Sequence, residues 1–185
     1  TLYLDQFLIF VLVLTRLGEA TPRPAERHES ARPLREILKL PAYRVAVLSG
    51  LVSYAVMSFI MTATPISMHV HDGYSSGQTT AVISAHLLGM YLPSLATPLL
   101  VRWLGIRGML LGGIAAMGLC VLISVFVGHA FVHYFTGLVL LGLGWNLMFV
   151  AATTLLTTTY SSEERFRAQG FNDFAIFGSQ ATASL

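Results

Sequence analysis

The feature that most constrains this chain is a series of apolar stretches, each about 20 residues long, separated by short polar connections. A helix needs about 20 predominantly apolar residues to cross a hydrocarbon core about 30 Å thick. Only 11% of the residues are charged, against about 25% in an average soluble domain. The pattern therefore excludes a soluble globular domain and predicts an all-α fold, a polytopic membrane helix bundle.

The apolar stretches also predict how the chain is divided. Residues 1–14 are expected to be the end of a truncated transmembrane helix, and residues 15–44 a cytoplasmic basic linker. Residues 45–185 are expected to form a transmembrane bundle, with spans at about 45–68, 79–101, 109–127, 134–158 and 170–185. Since the first and last stretches are shorter than a full span, we expect the chain to be part of a longer polypeptide.

The positive charges predict the orientation. All 11 basic residues lie in three connections, residues 15–44, 102–108 and 160–169, whereas residues 69–78 and 128–133 contain none. Cytoplasmic loops retain Lys and Arg, so the three basic connections are expected to be cytoplasmic. In the long linker, which carries four of the seven prolines, a short surface helix is expected just before Pro41. The net charge of +2 is too small to indicate nucleic-acid binding.

Two connections carry local motifs besides their charge. Residues 98–108 (Pro-Leu-Leu-Val-Arg-Trp-Leu-Gly-Ile-Arg-Gly) and residues 162–170 each hold two arginines between apolar runs. Together with the long linker and the alternating loops, they resemble the second half of a major facilitator superfamily transporter, from the end of helix six to part of helix eleven. The family's loop motif carries an aspartate where this chain has Val101. Residues 144–146 and 169–174 are similar to uncharacterised bacterial members.

The resemblance implies a protein of twelve helices in two halves, with a substrate site at the bilayer midplane between them. The expected partners are a small-molecule substrate, the lipid bilayer and the N-terminal half of the same transporter, with no nucleic acid. The expected location is the bacterial cell (inner) membrane. Helices seven and ten of such a protein line the cavity.

Polar residues within the expected spans are candidates for substrate binding. In the span over 134–158, Asn146, Phe149 and Thr153 lie on one helical stripe, and such a stripe faces protein or water rather than lipid. In the span over 45–68, Tyr54 needs a partner for its hydroxyl. The alternative for Asn146 and Tyr54 is a structural role, in which each bonds to or packs against a neighbouring helix.

His86 is the candidate for proton coupling, because an intramembrane histidine can take up and release a proton near neutral pH. The alternative is a neutral histidine bonded across to the other half of the protein.

Charged residues at the cytoplasmic side are candidates for a gate. Asp173 and Asn172 are expected near the start of the last span, where Arg165 or Arg167 can pair with Asp173. By resemblance, this end of helix eleven meets the other half of the transporter. The gate set predicted from these loops is Asp173, Asn172, Arg165, Arg167, Arg102 and Arg107.

The remaining reactive residues predict little chemistry. Cys120 has no partner cysteine, which excludes an intramolecular disulfide. Histidines in the two non-basic loops are expected to be solvated, and metal binding by them is an alternative only if the loops meet. Phosphate-loop, nucleophile-elbow and metalloprotease motifs are absent from the sequence, so neither a cofactor nor an enzyme activity is expected.

The sequence therefore predicts a secondary active transporter that moves a small solute by alternating access, coupled to protons. The alternative is a transporter-like membrane protein that serves as a non-transporting assembly or scaffold subunit.

Overall fold

The computed structural model describes residues 31–183. The chain divides into two compact units, Thr1–Ala31 and Arg32–Leu185, and the description that follows concerns the second. The helix predicted over residues 1–14 and the first part of the linker lie outside the described residues. Residues 31–183 form helices and include no strand, which confirms the all-α membrane bundle.

Six α-helices are found in this part of the chain, three of them extended by a short π or 3₁₀ turn. They are α1 (Leu34–Ile37), α2 (Pro41–Ile66, continued by a π turn at Ser67–His71), α3 (Ser76–Tyr91, continued by a 3₁₀ turn at Leu92–Ala96), α4 (Thr97–Leu122, continued by a π turn at Ile123–Val127), α5 (Phe131–Thr157) and α6 (Arg165–Ala183). Among the described residues, three helical runs are long and apolar enough to span a membrane: Pro41–His71, Ser76–Val127 and Phe131–Thr157.

The run Ser76–Val127 contains two of the predicted spans. Its 52 residues would extend about 78 Å as one helix, more than twice the hydrocarbon thickness. The helix is broken at Gly105, whose φ of 63° lies in the left-handed region that glycine adopts without strain. The arm before Gly105 runs parallel to α5 and the arm after it runs antiparallel. The contacts that define these directions are His86 with Leu138 and Ser94 with Asn146, then Gly113 with Gly144 and Cys120 with Gly137.

The helix α6 begins at Arg165, five residues before the predicted span at 170. The turn before α6 is stabilised by a hydrogen bond in which the side chain of Glu164 accepts from the backbone N–H of Ser161 (3.0 Å). A carboxylate is also favourable at the N-terminal end of a helix dipole. Since α6 is not among the three runs apolar enough to span a membrane, its role as a span stays a prediction.

The helix α5 lies at the centre of the bundle. More than half of its most apolar stretch is buried (56%), compared with 28% or less in the other two runs. On one side a Cβ at Gly142 would collide with the carbonyl oxygen of His86 in α3. On the other side a Cβ at Gly144 would lie 2.9 Å from the carbonyl oxygen of Gly113 in α4. Glycine therefore allows α5 to contact both neighbours backbone to backbone.

The helices α2 and α6 form the second layer of contacts. The hydroxyl of Tyr43 in α2 donates to the carbonyl oxygen of Ala168 in α6 (2.8 Å), and Ile176 packs onto Gly50. The predicted surface helix before Pro41 is present as α1, but its Ile37 is fully buried against protein, with Tyr43 among its neighbours. The start of α2 is thus held by the start of α6 and by α1.

An ion pair joins the linker to the turn before α6. Arg32 donates from Nε to Glu164 Oε1 (2.7 Å) and from Nη2 to Glu164 Oε2 (2.8 Å), and its backbone N–H adds a third bond to Oε1 (2.8 Å). The Glu164 side chain is only 3% exposed. The Arg32 hydrogen bonds, together with the Ser161 N–H, hold the pKa of the Glu164 carboxyl at about 2. We call this contact the linker clamp.

We expect Gly142→Ala to destabilise the bundle by about 1–3 kcal/mol, since the new methyl group meets a backbone carbonyl that cannot move aside. Thermal unfolding of the purified protein in detergent measures the effect. Gly118→Ala is the matched control, because Gly118 is a helical glycine of α4 with nothing within 4 Å of a built Cβ. That variant should be neutral or slightly stabilised. Equal melting temperatures for the two variants would contradict the close approach of α3 and α5.

We expect Glu164→Gln to lower the free energy of unfolding at pH 7 by about 1–3 kcal/mol, because charged hydrogen bonds to Arg32 are lost. The folded-state pKa lies below its ordinary value of 4.5, so the carboxylate contributes its stabilisation above about pH 4.5. That contribution is lost as the pH falls toward 2. Melting temperatures measured from pH 7 to pH 2 should therefore converge for wild type and variant. Glu163→Gln, at an exposed neighbouring position, should follow wild type throughout.

Candidate functional site

Four aromatic rings from three helices meet on one face of the bundle. Tyr54 of α2 makes edge contacts with Trp145 and Phe149 of α5, with ring centroids 5.2 and 5.8 Å apart. It also makes an edge contact with Phe177 of α6 at 6.2 Å. Trp145 and Phe149 are stacked, with centroids 4.9 Å apart and planes 9° apart. We call these four residues the aromatic cluster.

The aromatic cluster unites two residues predicted from the sequence, Tyr54 and Phe149. The sequence analysis did not select Trp145 or Phe177 as site residues. The spacing held a signal for Trp145, because it lies one helical turn before Phe149 and therefore on the same side of α5. No such signal existed for Phe177, since its place beside Tyr54 depends on how α6 packs against α2.

The side chain of Asn146 bonds to a helix that contributes no ring to the aromatic cluster. Its Nδ2 donates to the carbonyl oxygen of Met90 (2.7 Å) and to the hydroxyl of Ser94 (2.6 Å), both in the arm that runs parallel to α5. Its side chain is buried, and its Oδ1 has no hydrogen-bond partner within residues 31–183. The contact to another helix is the structural role that the sequence left open for this residue, and substrate binding stays a prediction.

Thr153 lies one turn beyond Phe149 toward the C-terminal end of α5. Its hydroxyl donates to the carbonyl oxygens of Phe149 (2.8 Å) and Val150 (3.1 Å) of its own helix. A threonine bonded in this way donates its hydroxyl hydrogen within its own helix, and its hydroxyl oxygen can still accept a hydrogen bond.

His86 is buried where α3 packs against α5, with 1% of its surface exposed. Its Nδ1 lies 3.0 Å from the carbonyl oxygen of Leu138, so Nδ1 carries a hydrogen and donates. Nε2 is buried with no hydrogen-bond partner in the described part of the chain. The sequence suggested a bond across to another half of the protein, whereas the bond found here joins two helices of this bundle.

The predicted gate residues lie near the end of the bundle that carries the arginines, which we call the basic end. Asp173 is exposed in the third turn of α6, and its Oδ1 accepts a hydrogen bond from Nδ2 of Asn172 (3.1 Å). Within residues 31–183 it forms no ion pair with Arg165 or Arg167, and Arg165 donates instead to Gln169 (3.2 Å). The predicted pairing within the loop is therefore not present.

Arg102 and Arg107 flank the break at Gly105 and are both exposed. They lie at the basic end because the nearby Met109 packs against Ala151 in the C-terminal half of α5. They do not converge with Asp173 in any ion pair among residues 31–183.

The two non-basic loops meet at the opposite end, which we call the histidine end. Tyr134 donates to Asp72 Oδ2 (2.6 Å), and His129 Nδ1 lies 3.4 Å from the same oxygen. The Tyr134 hydrogen bond, and after it His129, holds the pKa of the Asp72 carboxyl below its usual value. His69 Nδ1 lies 3.0 Å from the carbonyl oxygen of Tyr74, and no group of three metal-binding side chains is found within residues 31–183.

Comparison with known proteins identifies relatives over nearly the whole chain. A family model described as Major Facilitator Superfamily matches residues 6–184. The chain is 37% identical over 175 residues to the riboflavin transporter RfnT of Brucella anthropi, which covers 95% of this chain and 44% of that protein. It is 37% identical over 122 residues to the uncharacterized MFS-type transporter YdeG of Bacillus subtilis, covering 65% of this chain and 28% of that protein.

A further relative in Bacillus subtilis, the uncharacterized MFS-type transporter YddS, is 29% identical over 158 residues, covering 82% of this chain and 36% of that protein. The chain thus spans less than half the length of these curated relatives. No solved structure matches it. Because the family model covers almost every residue and the described part forms a bundle of membrane-length helices, the chain belongs to the major facilitator superfamily.

Proposed function

We propose that this chain is the C-terminal half of a secondary active transporter that moves a small solute by alternating access. The observation that carries the proposal is the 37% identity to a riboflavin transporter over 95% of the chain. The antiparallel and parallel helices packed around α5 support it, because a half-bundle of this kind can rock as one body. The basic end is cytoplasmic in this proposal, in the cell (inner) membrane of a bacterium.

The other half of the cavity comes from an N-terminal bundle of the same polypeptide. Two facts support this part of the proposal. The matched region is 44% of that relative, so the relative is more than twice as long as the matched region. The face of the bundle that carries the aromatic cluster also remains open, with Phe177 exposed.

Riboflavin is the first substrate to test, because the relative transports it by name. The proposed substrate contacts are Tyr54, Phe149, Thr153 and Asn146. The aromatic pair supports binding of an apolar part of the solute, and the unpartnered Oδ1 of Asn146 supports a polar contact once α3 shifts relative to α5.

His86 is the proposed proton carrier. Its Nδ1 is committed to the Leu138 carbonyl oxygen, which leaves Nε2 with a lone pair that can accept a proton. A charge gained inside the bundle requires water or a protein partner, so protonation would favour one arrangement of the helices over another.

Asp173, Asn172, Arg165, Arg167, Arg102 and Arg107 are the proposed gate at the basic end. The exposed carboxylate of Asp173 has no arginine partner within residues 31–183, which leaves it available to a basic group of the other half. Such a pair would close the basic end while the substrate site faces outside.

We expect the native polypeptide, reconstituted in proteoliposomes, to accumulate riboflavin when a proton gradient is imposed and to stop when the gradient is collapsed. His86→Gln should abolish gradient-driven accumulation but retain riboflavin exchange, because exchange needs no net proton movement. His71→Gln, at an exposed position at the end of the π turn after α2, should behave as wild type.

Failure of riboflavin to cross the membrane under any ion gradient would contradict transport of this solute. If an intact-mass measurement also showed a polypeptide of 20.1 kDa, the non-transporting scaffold would become the better interpretation.

We expect Asp173→Asn to shift the balance between inward-open and outward-open states, raising labelling at the basic end by about two- to fivefold, because one ion pair with the other half is lost. A single cysteine at the exposed Thr157 position, labelled by a membrane-impermeant maleimide, measures this balance. Riboflavin affinity should change little. Glu163→Gln removes an exposed carboxylate from the same end and serves as the control. Equal labelling of Asp173→Asn and wild type would count against the gate.

A further inference from the structure

The aromatic cluster has a buried side and an open side. Trp145 is 6% exposed and forms the buried side, where it stacks against Phe149. Phe177 is 58% exposed, and Tyr54 and Phe149 are half-buried. Three helices therefore present ring surface to the outside of this bundle at one place, with Tyr54 contacting all three other rings.

Polar groups on the same face show that it does not face lipid. The exposed carboxylate of Asp173 lies one helical turn before Phe177 on the same side of α6. That hydroxyl forms no hydrogen bond within the described residues 31–183. A carboxylate and a phenol in contact with hydrocarbon would both be costly. The open side of the aromatic cluster is therefore in contact with water or another polar phase.

The indole of Trp145 lies on the buried side of the aromatic cluster, and its Nε1 has no hydrogen-bond partner among residues 31–183. The open side is therefore formed by the rings of Tyr54, Phe149 and Phe177. A solute that combines a flat ring with polar edge atoms fits this ring surface and the carboxylate of Asp173 beside it.

We propose that the aromatic cluster is the part of the site that binds a planar aromatic ring of the solute. This proposal rests on the proposed function and names the chemical class of its substrate, a planar aromatic heterocycle. The ring packs against Tyr54, Phe149 and Phe177, while Trp145 supports Phe149 from behind. Aromatic side chains can stack on flat heterocycles with different substituents, because every such ring has a π-face.

Binding of lumichrome, a bare tricyclic heterocycle, to the native polypeptide in detergent tests the proposal. Lumichrome fluorescence should change on binding, and ribitol, a polyol with no ring, should not compete. Tyr54→Leu and Phe177→Leu should each weaken lumichrome binding by about tenfold or more. Tyr54→Phe keeps the ring and should stay within about twofold of wild type.

Phe174→Leu is the control, because Phe174 is an exposed phenylalanine of α6 that makes no ring contact within residues 31–183. If Tyr54→Leu does not fold, Phe177→Leu carries the test, since its ring is largely exposed and contributes little to packing. Wild type that does not bind lumichrome would overturn the proposal and indicate that the other half packs on the aromatic cluster. Unchanged binding in Phe177→Leu would also overturn it.

The experiments distinguish a failure of the proposed riboflavin transport from a failure of the proposed ring site. Lumichrome binding that depends on Tyr54 and Phe177, with no riboflavin flux, would leave the ring site in place and contradict transport of riboflavin. Riboflavin flux that is unaffected by Tyr54→Leu and Phe177→Leu would leave transport in place and contradict the ring site.

Discussion

The rest of this bundle depends on the close approach of α5 to the helices on either side of it. In a membrane the hydrophobic effect does not drive one apolar helix against another, so association relies on close packing. Glycines at 89 and 142 on one side, and at 113 and 144 on the other, bring backbone against backbone. A residue with a Cβ at these points would push the helices apart and move every side chain that α5 presents.

This packing assigns a different neighbour to each side of α5. One side bonds to α3 through Asn146, another meets α4 at Met109 and Cys120, and a third carries Trp145 and Phe149 toward α2. The stripe that the sequence predicted on α5 is thus divided in the folded bundle. Asn146 serves a helix contact, while Phe149 lies in the aromatic cluster about one turn away.

The two ends of the bundle are held by different chemistry. At the basic end, Arg32 bonds to a buried carboxylate, which anchors the linker to the turn that begins α6. At the histidine end, Tyr134 and Asp72 join the loop after α2 to α5. Both contacts lie at the ends of the bundle, away from the apolar middle of its helices.

The sequence by itself determined that the chain is a helical membrane bundle, because the length of an apolar run and the charge of a loop are both local properties. The motifs of two basic loops added the resemblance to the major facilitator superfamily. It also located the break near Gly105 and brought Tyr54 and Phe149 into consideration. Only the tertiary structure decided that Phe177 joins them, that Asn146 turns to α3, and that Glu164 is buried under Arg32. These facts depend on which helix faces lie together, and packing between distant residues leaves no periodic signal in one sequence.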